Sequence, residues 1–356
     1  DTHSTIAAPS PRRESFGARV KRHYHAAEWL FDDCKLWSAI ALIRMLTLFA
    51  RHRPRLMVSS GPPASPHIAA SIASRLYRVP HVCDFRDPWA ANDYWPREVT
   101  SRPRTWIEKR AERFVCTYAS AITCASPGIA KNLATSYPEL TPRIHTILNG
   151  YDDWMELAAP PSSNKLELLY AGSLYFNRNP LPLMTAISNL LADKKISAET
   201  LHLTMVGNCS SWSGIDLNSW TRDHSIDHLV TISGPVSVDQ VRALTMQSNV
   251  LVNFAQGQPN QIPAKLFEQI AARRHTLLLT DSDSDTYSIA SRLPLLHCVG
   301  PDDVRAIENV LMDLASIIRA QDVKKPVEDD YSEFSRKSQL EKFHQIFHDV
   351  CGGSAT

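Results

Sequence analysis

The 356-residue sequence predicts an α/β protein built from two doubly wound domains. Three observations carry that expectation. Short apolar runs, each closed by a breaker, alternate with stretches of helical periodicity along most of the chain. One polar, proline-bearing stretch, Ala158-Ala159-Pro160-Pro161-Ser162-Ser163-Asn164, divides the alternation into two series. The composition, 44% hydrophobic and 21% charged, is that of a globular chain and excludes disorder. Glycine is scarce, 12 Gly against 23 Pro, where average usage gives about 25 Gly. That count excludes collagen-like and glycine-rich low-complexity chains. It also argues against several glycine-rich nucleotide loops, until the positions of the glycines are considered.

The elements follow in order. Residues 1–20 are polar, with Pro9 and Pro11, and read as a loop or terminus. From about Ala26 to Arg51, Trp29, Leu30, Leu36, Trp37, Ile40 and Ile43 recur at helical spacing, and Pro54 blocks continuation. Four strands follow, each ending in a breaker. Leu56–Val58 leads into Ser59-Ser60-Gly61-Pro62-Pro63 and His81–Phe85 into Arg86-Asp87-Pro88-Trp89. Ala121–Cys124 leads into Ser126-Pro127-Gly128 and Ile144–Leu148 into Asn149-Gly150. Helices are expected near 66–78, 102–118 and 128–136. The second series has six strands: Leu166–Ala171, Leu201–Val206, Leu229–Ser233, Val250–Phe254, Thr276–Thr280 and Leu295–Val299. Its helices fall near 181–193, 237–247, 264–273 and 301–320, and a last amphipathic helix lies near 333–349. Six strands complete a doubly wound unit. Four do not, so the first domain is expected to lack its opening strand or strands, in keeping with a start at Asp1. The expected domains are 1–155 and 163–330, with the segment about 331–350 packing back on the first.

Charge and cysteine narrow the function classes. The net charge of +1 conceals +7 in residues 1–155 and −6 in the remainder. A basic half suits an anionic partner, such as a phospholipid surface or a lipid phosphate, as readily as plain solvent. The basic residues are scattered and form no nucleic-acid motif, so no nucleic-acid partner is expected. No run of 18 apolar residues exists to span a bilayer. Seven cysteines with no C-x-x-C pair point to reduced thiols in a cytoplasm rather than a disulfide framework or zinc site; no metal is expected.

In a doubly wound sheet, ligands bind beyond the carboxyl ends of the strands. Three places there hold suggestive residues. Tyr170-Ala171-Gly172-Ser173-Leu174-Tyr175-Phe176-Asn177-Arg178-Asn179-Pro180 combines a glycine that permits close approach, a following helix N-terminus and a cation. Taken alone it is also an ordinary strand–helix turn. Gln261-Ile262-Pro263-Ala264-Lys265-Leu266-Phe267-Glu268 places Lys265 in a first helical turn, where a cation is disfavoured unless an anion shares the site. Glu268, three residues on, either binds paired hydroxyls or forms a surface ion pair. Val206-Gly207-Asn208 and Ser233-Gly234-Pro235-Val236 offer backbone groups at two further strand ends.

In this order and spacing, these segments resemble the donor domain of GT-B glycosyltransferases, most closely the retaining family 4. Ser59-Ser60-Gly61-Pro62-Pro63, Asp84-Phe85-Arg86-Asp87-Pro88-Trp89 and Asn149-Gly150-Tyr151-Asp152 are similar to the acceptor-domain signatures of the same group. The resemblance covers roughly residues 26–350. It implies two Rossmann-like domains facing a cleft. The activity implied is transfer of a sugar from a nucleotide-diphosphate donor, UDP- or GDP-linked, to a glycan or lipid-linked acceptor without a cofactor. It assigns the catalytic positions to Arg178, Lys265 and Asp87. Donor contacts fall to Gly172, Ser173, Arg178, Gly207, Pro235, Val236, Asn260, Gln261, Lys265 and Glu268. Acceptor contacts fall to Ser60, Gly61, Asp84, Arg86 and Asp87. The reading open beside it for Asp87 is structural, a turn cap paired with Arg86 or Arg97.

Two positions depart from the family pattern. Asn260 stands where the family carries a Glu eight residues before Glu268, and an amide bonds a sugar hydroxyl without charge. Ser173 stands where many relatives carry an Arg. The implied setting is cytoplasmic, peripheral on the inner face of the cell membrane, in surface polysaccharide or glycolipid synthesis. The alternatives are a nucleotide-sugar isomerase or epimerase of the same architecture and a non-catalytic nucleotide-sugar binding module.

Overall fold

A computed structural model describes residues 30–90, 102–152, 163–175, 177–320 and 328–352. The expectations for residues 1–29, for most of the linker and for Arg97 lie outside the described residues. By packing, the chain divides into two compact units. One is drawn from Asp1–Thr123, Asn132–Ile144 and Val350–Thr356, the other from Cys124–Lys131 and His145–Asp349.

A four-stranded sheet in the N-terminal part of the chain is ordered β1 (Met57–Gly61), β2 (His81–Phe85), β3 (Ala121–Cys124) and β4 (Ile144–Thr146). β1 and β2 pair in parallel from Met57↔His81 to Gly61↔Phe85. β2 and β3 are buried along their whole length, as strands covered on both faces must be. β1 extends three residues beyond its expected end, so Ser59, Ser60 and Gly61 are ladder residues rather than the start of a loop. The first described helix is Lys35–Phe49; residues 30–34 before it are not helical, and the expectation for 26–29 lies outside the described residues. Asp32 lies in that non-helical stretch. Its carboxylate accepts the Ser65 backbone N–H at 2.6 Å and the Ser65 hydroxyl at 2.7 Å, capping the helix Ser65–Tyr77 from 33 residues away. The helix Arg102–Tyr118 has the expected bounds and buries Arg104 against Glu108 at 2.9 Å.

The second unit holds six parallel strands: β5 (Leu166–Ala171), β6 (Leu201–Val206), β9 (Val230–Ser233), β10 (Val250–Ala255), β11 (His275–Thr280) and β12 (Leu296–Val299). Their spatial order is β12-β11-β10-β5-β6-β9. Numbered within the unit, that is 3-2-1-4-5-6, the doubly wound order whose direction reverses between the first and fourth strands. β5 and β10 flank that switch point. The helices Leu181–Ala192 and Val304–Arg319 cover one face, over a core that includes Leu168, Tyr170, Leu203, Val252 and Leu277.

Four elements lie below the length at which periodicity is readable. β7 (Ser211–Trp212) and β8 (Ile215–Asp216) form a hairpin around Gly214, and the helix Leu217–Asp223 follows, capped by Asp216. The helix Asp285–Ala290 is capped by Ser284. The last helix, Arg336–Gly352, is tied to residues on the near side of the expected linker. Leu148 N–H donates to Gln339 Oε1 at 3.1 Å, and Tyr151 bridges Ser335. Through Asp349 these residues group with the second unit. All seven cysteines are free thiols. No helix among the described residues is long and apolar enough to cross a membrane.

Candidate functional site

The densest convergence of chemistry-bearing residues lies at the switch point of the six-stranded sheet. Hydrogen bonding between β5 and β6 continues past both strands, with Gly172 N–H to Val206 O at 2.8 Å and Leu174 N–H to Asn208 O at 2.9 Å. The two chains pack so closely that a Cβ on Gly207, whose φ is +120°, would collide with the Gly172 carbonyl. A Cβ on Gly172 would collide with Lys265 Nζ. Glycine is therefore required at Gly207, while at Gly172 a side chain would displace the lysine ammonium that lies against the strand end.

Lys265 lies in the first turn of the helix Ala264–Ala272. Its Nζ donates to Ala171 O at 3.0 Å and sits 4.6 Å from the centre of the Tyr170 ring. Burial, with the nearby Arg178 charge adding to it, pulls its pKa down to about 8. Arg178 is 9% exposed, donates to Ser173 O at 3.3 Å and stacks over Tyr175 at 4.2 Å. Its buried Nε has no hydrogen-bond partner among the described residues. Two cations thus meet at a helix N-terminus and a glycine-lined strand end, an arrangement that costs free energy until an anion occupies it.

A cavity of about 270 Å³ adjoins Lys265. Leu169, Ala171, Leu251 and Val241 form its apolar walls, and Lys265, Glu268 and Gln269 supply polar groups. Gln269 is held by buried bonds, Nε2 to Val252 O at 3.1 Å and Oε1 from Asn253 Nδ2 at 2.7 Å. Val236 packs at the rim of the same apolar cluster. Of the donor residues expected from sequence, the fold brings Gly172, Ser173, Arg178, Gly207, Lys265 and Glu268 into this neighbourhood.

Asn260, Gln261 and Pro235 do not line that cavity. The Asn260 carbonyl accepts Ser126 Oγ at 2.7 Å and its side-chain oxygen lies against Gly128, while the Gln261 carbonyl accepts Thr286 Oγ1 at 3.2 Å. Pro235 is exposed beside Gly234. Two neighbours have no signal in the sequence. Tyr170 donates to Ser173 O at 2.9 Å, its phenol pushed up to about 12 by burial. Gln256, 6% exposed just past β10, donates to Asn179 O at 2.8 Å while its Oε1 is buried without a partner among the described residues.

In the first unit, Asp84 is a tie between strands. It accepts Ser60 Oγ at 2.8 Å and Thr123 Oγ1 at 2.7 Å, with Arg86 Nη1 at 3.6 Å. Ser60 and Asp84 therefore spend their polar atoms on each other and on β3. Arg86 N–H donates to Gly61 O at 2.8 Å, and cis peptides precede Pro62 and Pro63.

Asp87 and Gly61 line a cavity of about 450 Å³ with Phe31, His67, Phe85 and Trp89. His67 and Trp89 are the residues that sequence reading missed here. His67 is 2% exposed; its Nδ1 lies 2.6 Å from Ser59 Oγ, which also lies 2.7 Å from His81 Nε2. Burial holds both imidazoles neutral, His67 at about 3 and His81 at about 4. The buried Trp89 Nε1–H is without a partner among the described residues.

Comparison with known proteins agrees with this picture. Residues 3–150 match the model of the Glycosyl transferase 4-like domain. A glycosyltransferase from Rickettsia africae is 14% identical with a TM-score of 0.67, covering 97% of this chain and 84% of its own. Anabaena Alr3699/HepE, determined in complex with UDP, is 11% identical with a TM-score of 0.62, covering 86% and 82%. Sucrose-phosphate synthase from Thermosynechococcus elongatus is 11% identical with a TM-score of 0.61, covering 90% and 80%. No curated protein matches the chain. The fold is GT-B, and the chain resembles the family 4 glycosyltransferases.

Proposed function

We propose that this GT-B chain, whose residues 3–150 match a glycosyl transferase 4-like domain, transfers a hexosyl group from a nucleotide-diphosphate sugar to a glycan or lipid-linked acceptor, with retention. The observation that carries the reading is the convergence of Lys265 and Arg178 on the Gly172 strand end beside a cavity edged by Glu268.

The diphosphate sits against the Lys265 ammonium and the Arg178 guanidinium. Both strengthen their hold as the leaving oxygen gains charge. These fixed cations supply the electrostatic stabilisation, so the reaction calls for no metal. Glu268 accepts hydrogen bonds from the paired ribose hydroxyls, and the apolar walls of the 270 Å³ cavity receive the nucleoside. Val236, packed on the apolar cluster beside the cavity, and the exposed Pro235 next to it meet the base. Ser173 and Asn260 stand where charged groups are usual in family 4, which leaves Arg178 and Lys265 to carry the charge and Asn260 and Gln261 to offer amides to the sugar. In the same-face mechanism the departing phosphate oxygen takes the proton of the acceptor hydroxyl, and Asp87 orients that hydroxyl in the 450 Å³ cavity.

The role of the protein is then surface polysaccharide or glycolipid synthesis on the cytoplasmic face of a membrane, with the basic first half toward anionic lipid. The test is release of nucleotide from UDP- and GDP-sugars, with and without acceptor lipids. Turnover that Lys265→Ala lowers by ~10²–10³ supports the reading. Donor binding without turnover on any acceptor overturns it in favour of a binding module. Conversion of the sugar nucleotide itself overturns it in favour of an isomerase or epimerase.

A further inference from the structure

We propose that the helix Lys35–Phe49 is an interfacial anchor that seats the first unit on an anionic phospholipid surface. The proposal rests on the membrane-facing part of the function above and names the surface responsible.

The helix is apolar on both sides. Leu42, Met45, Leu46 and Phe49 pack against Met57, Ala70, Ala73 and Tyr77. On the outer side Leu36 is 75% exposed, Trp37 63%, Ile40 54%, Ile43 62% and Leu48 54%. The outer face, on which Arg44 and Thr47 are also exposed, leaves those five apolar side chains open to solvent among the described residues. Ile72 and Leu76, exposed on the neighbouring helix Ser65–Tyr77, extend the same surface. At 15 residues, the helix is too short to span a bilayer and suited to lie along its interface.

Charge selects the partner. Between Asp33 and Asp84 the sequence carries seven Lys or Arg and no Asp or Glu. Lys35 stands at one end of the helix, and Arg51, Arg53 and Arg55 follow the other. Exposed Leu, Ile and Trp beside Arg44 and the flanking cations offer both apolar contact and charge attraction to an anionic lipid surface. A second copy of this chain would oppose the same seven cations to themselves. The groove between the two helices, lined by Ala39, Ile68 and Ile72, shares Phe31 with the cavity that holds Asp87.

The experiment is flotation of the full chain with vesicles of phosphatidylcholine alone or mixed with phosphatidylglycerol. Wild type is expected on the mixed vesicles only, releasing as salt rises. Ile40→Glu/Ile43→Glu is expected to weaken binding by at least about tenfold, and Arg44→Glu/Arg51→Glu to weaken it on the mixed vesicles. Trp37→Gln provides a second apolar variant, and circular dichroism verifies that each variant folds. Nucleotide-sugar binding is expected unchanged in all of them. Wild type that ignores phosphatidylglycerol overturns both the anchor and the membrane reading. Wild type that binds, with every folded variant binding equally, overturns the anchor alone. A dimer in sedimentation that Ile40→Glu/Ile43→Glu converts to monomer, without vesicle binding, assigns the face to a second copy and overturns the proposal.

Discussion

Lys265 shows how a single side chain acquires a function from its surroundings. On an exposed helix it would titrate far above neutrality; burial, with the Arg178 charge nearby, lowers its pKa to about 8. The protonated form binds the diphosphate, so donor affinity is expected to be full below pH 7 and to weaken as pH rises through about 8. Calorimetric titration of UDP across that range tests it, and Lys265→Arg, which stays charged, is expected to flatten the profile while losing some affinity through misfit. Affinity that is level for wild type across pH 7–9 removes Lys265 from the phosphate site. The neighbouring glycines are equally specific. Gly172→Ala forces the ammonium away from Ala171, so donor binding is expected to fall more than stability does.

Among elements, β5 and β6 act as one piece because their hydrogen bonding runs on through Gly172 and Leu174. Gly207→Ala meets backbone on the opposite chain, which cannot move aside as a flexible side chain could. The expected loss is ~2–3 kcal/mol of stability, read as a fall in denaturation midpoint. A midpoint within error of wild type contradicts that packing. In the first unit the comparable tie is Asp84. Asp84→Ala leaves Ser60 and Thr123 without their shared acceptor. The expected result is a loss of ~2–4 kcal/mol with nucleotide binding retained, measured by thermal melting beside UDP titration. The strands were legible in the sequence because each is a short apolar run with a breaker at its end. The β7–β8 hairpin and the helix Asp285–Ala290 were not, since two to six residues are too few for a period to repeat. The role of Asp32 was also hidden: its carboxylate caps a helix that begins 33 residues away.

At the scale of the whole molecule, three buried histidines govern acid stability. His67, His81 and His275 are all depressed, to about 3, 4 and 4, chiefly by burial. Their unfolded forms titrate near 6.5, so the unfolded chain binds more protons as pH falls. Stability is therefore expected to be level above about pH 7 and to decline as pH drops through 6.5 toward 4. Urea midpoints across that range measure the slope. His81→Gln, isolating one of the three, is expected to make it shallower, and an unchanged slope would remove His81 from the account.

The sequence by itself determined the alternation of strand and helix, the six-stranded second sheet and the glycines at its strand ends. These follow from local chemistry: period, breakers and backbone freedom are properties of neighbouring residues. The family resemblance singled out Lys265, Arg178 and Glu268, and the fold brings all three near the Gly172 strand end. Only the tertiary structure decided which polar groups meet. Asp84 turns to Ser60 and Thr123, Asn260 packs on Gly128 and Ser126, and His67 and Trp89 enter a cavity with Asp87. Those pairings join residues far apart in sequence. Burial sets their strength, and no local pattern encodes which distant partner a buried polar atom will find.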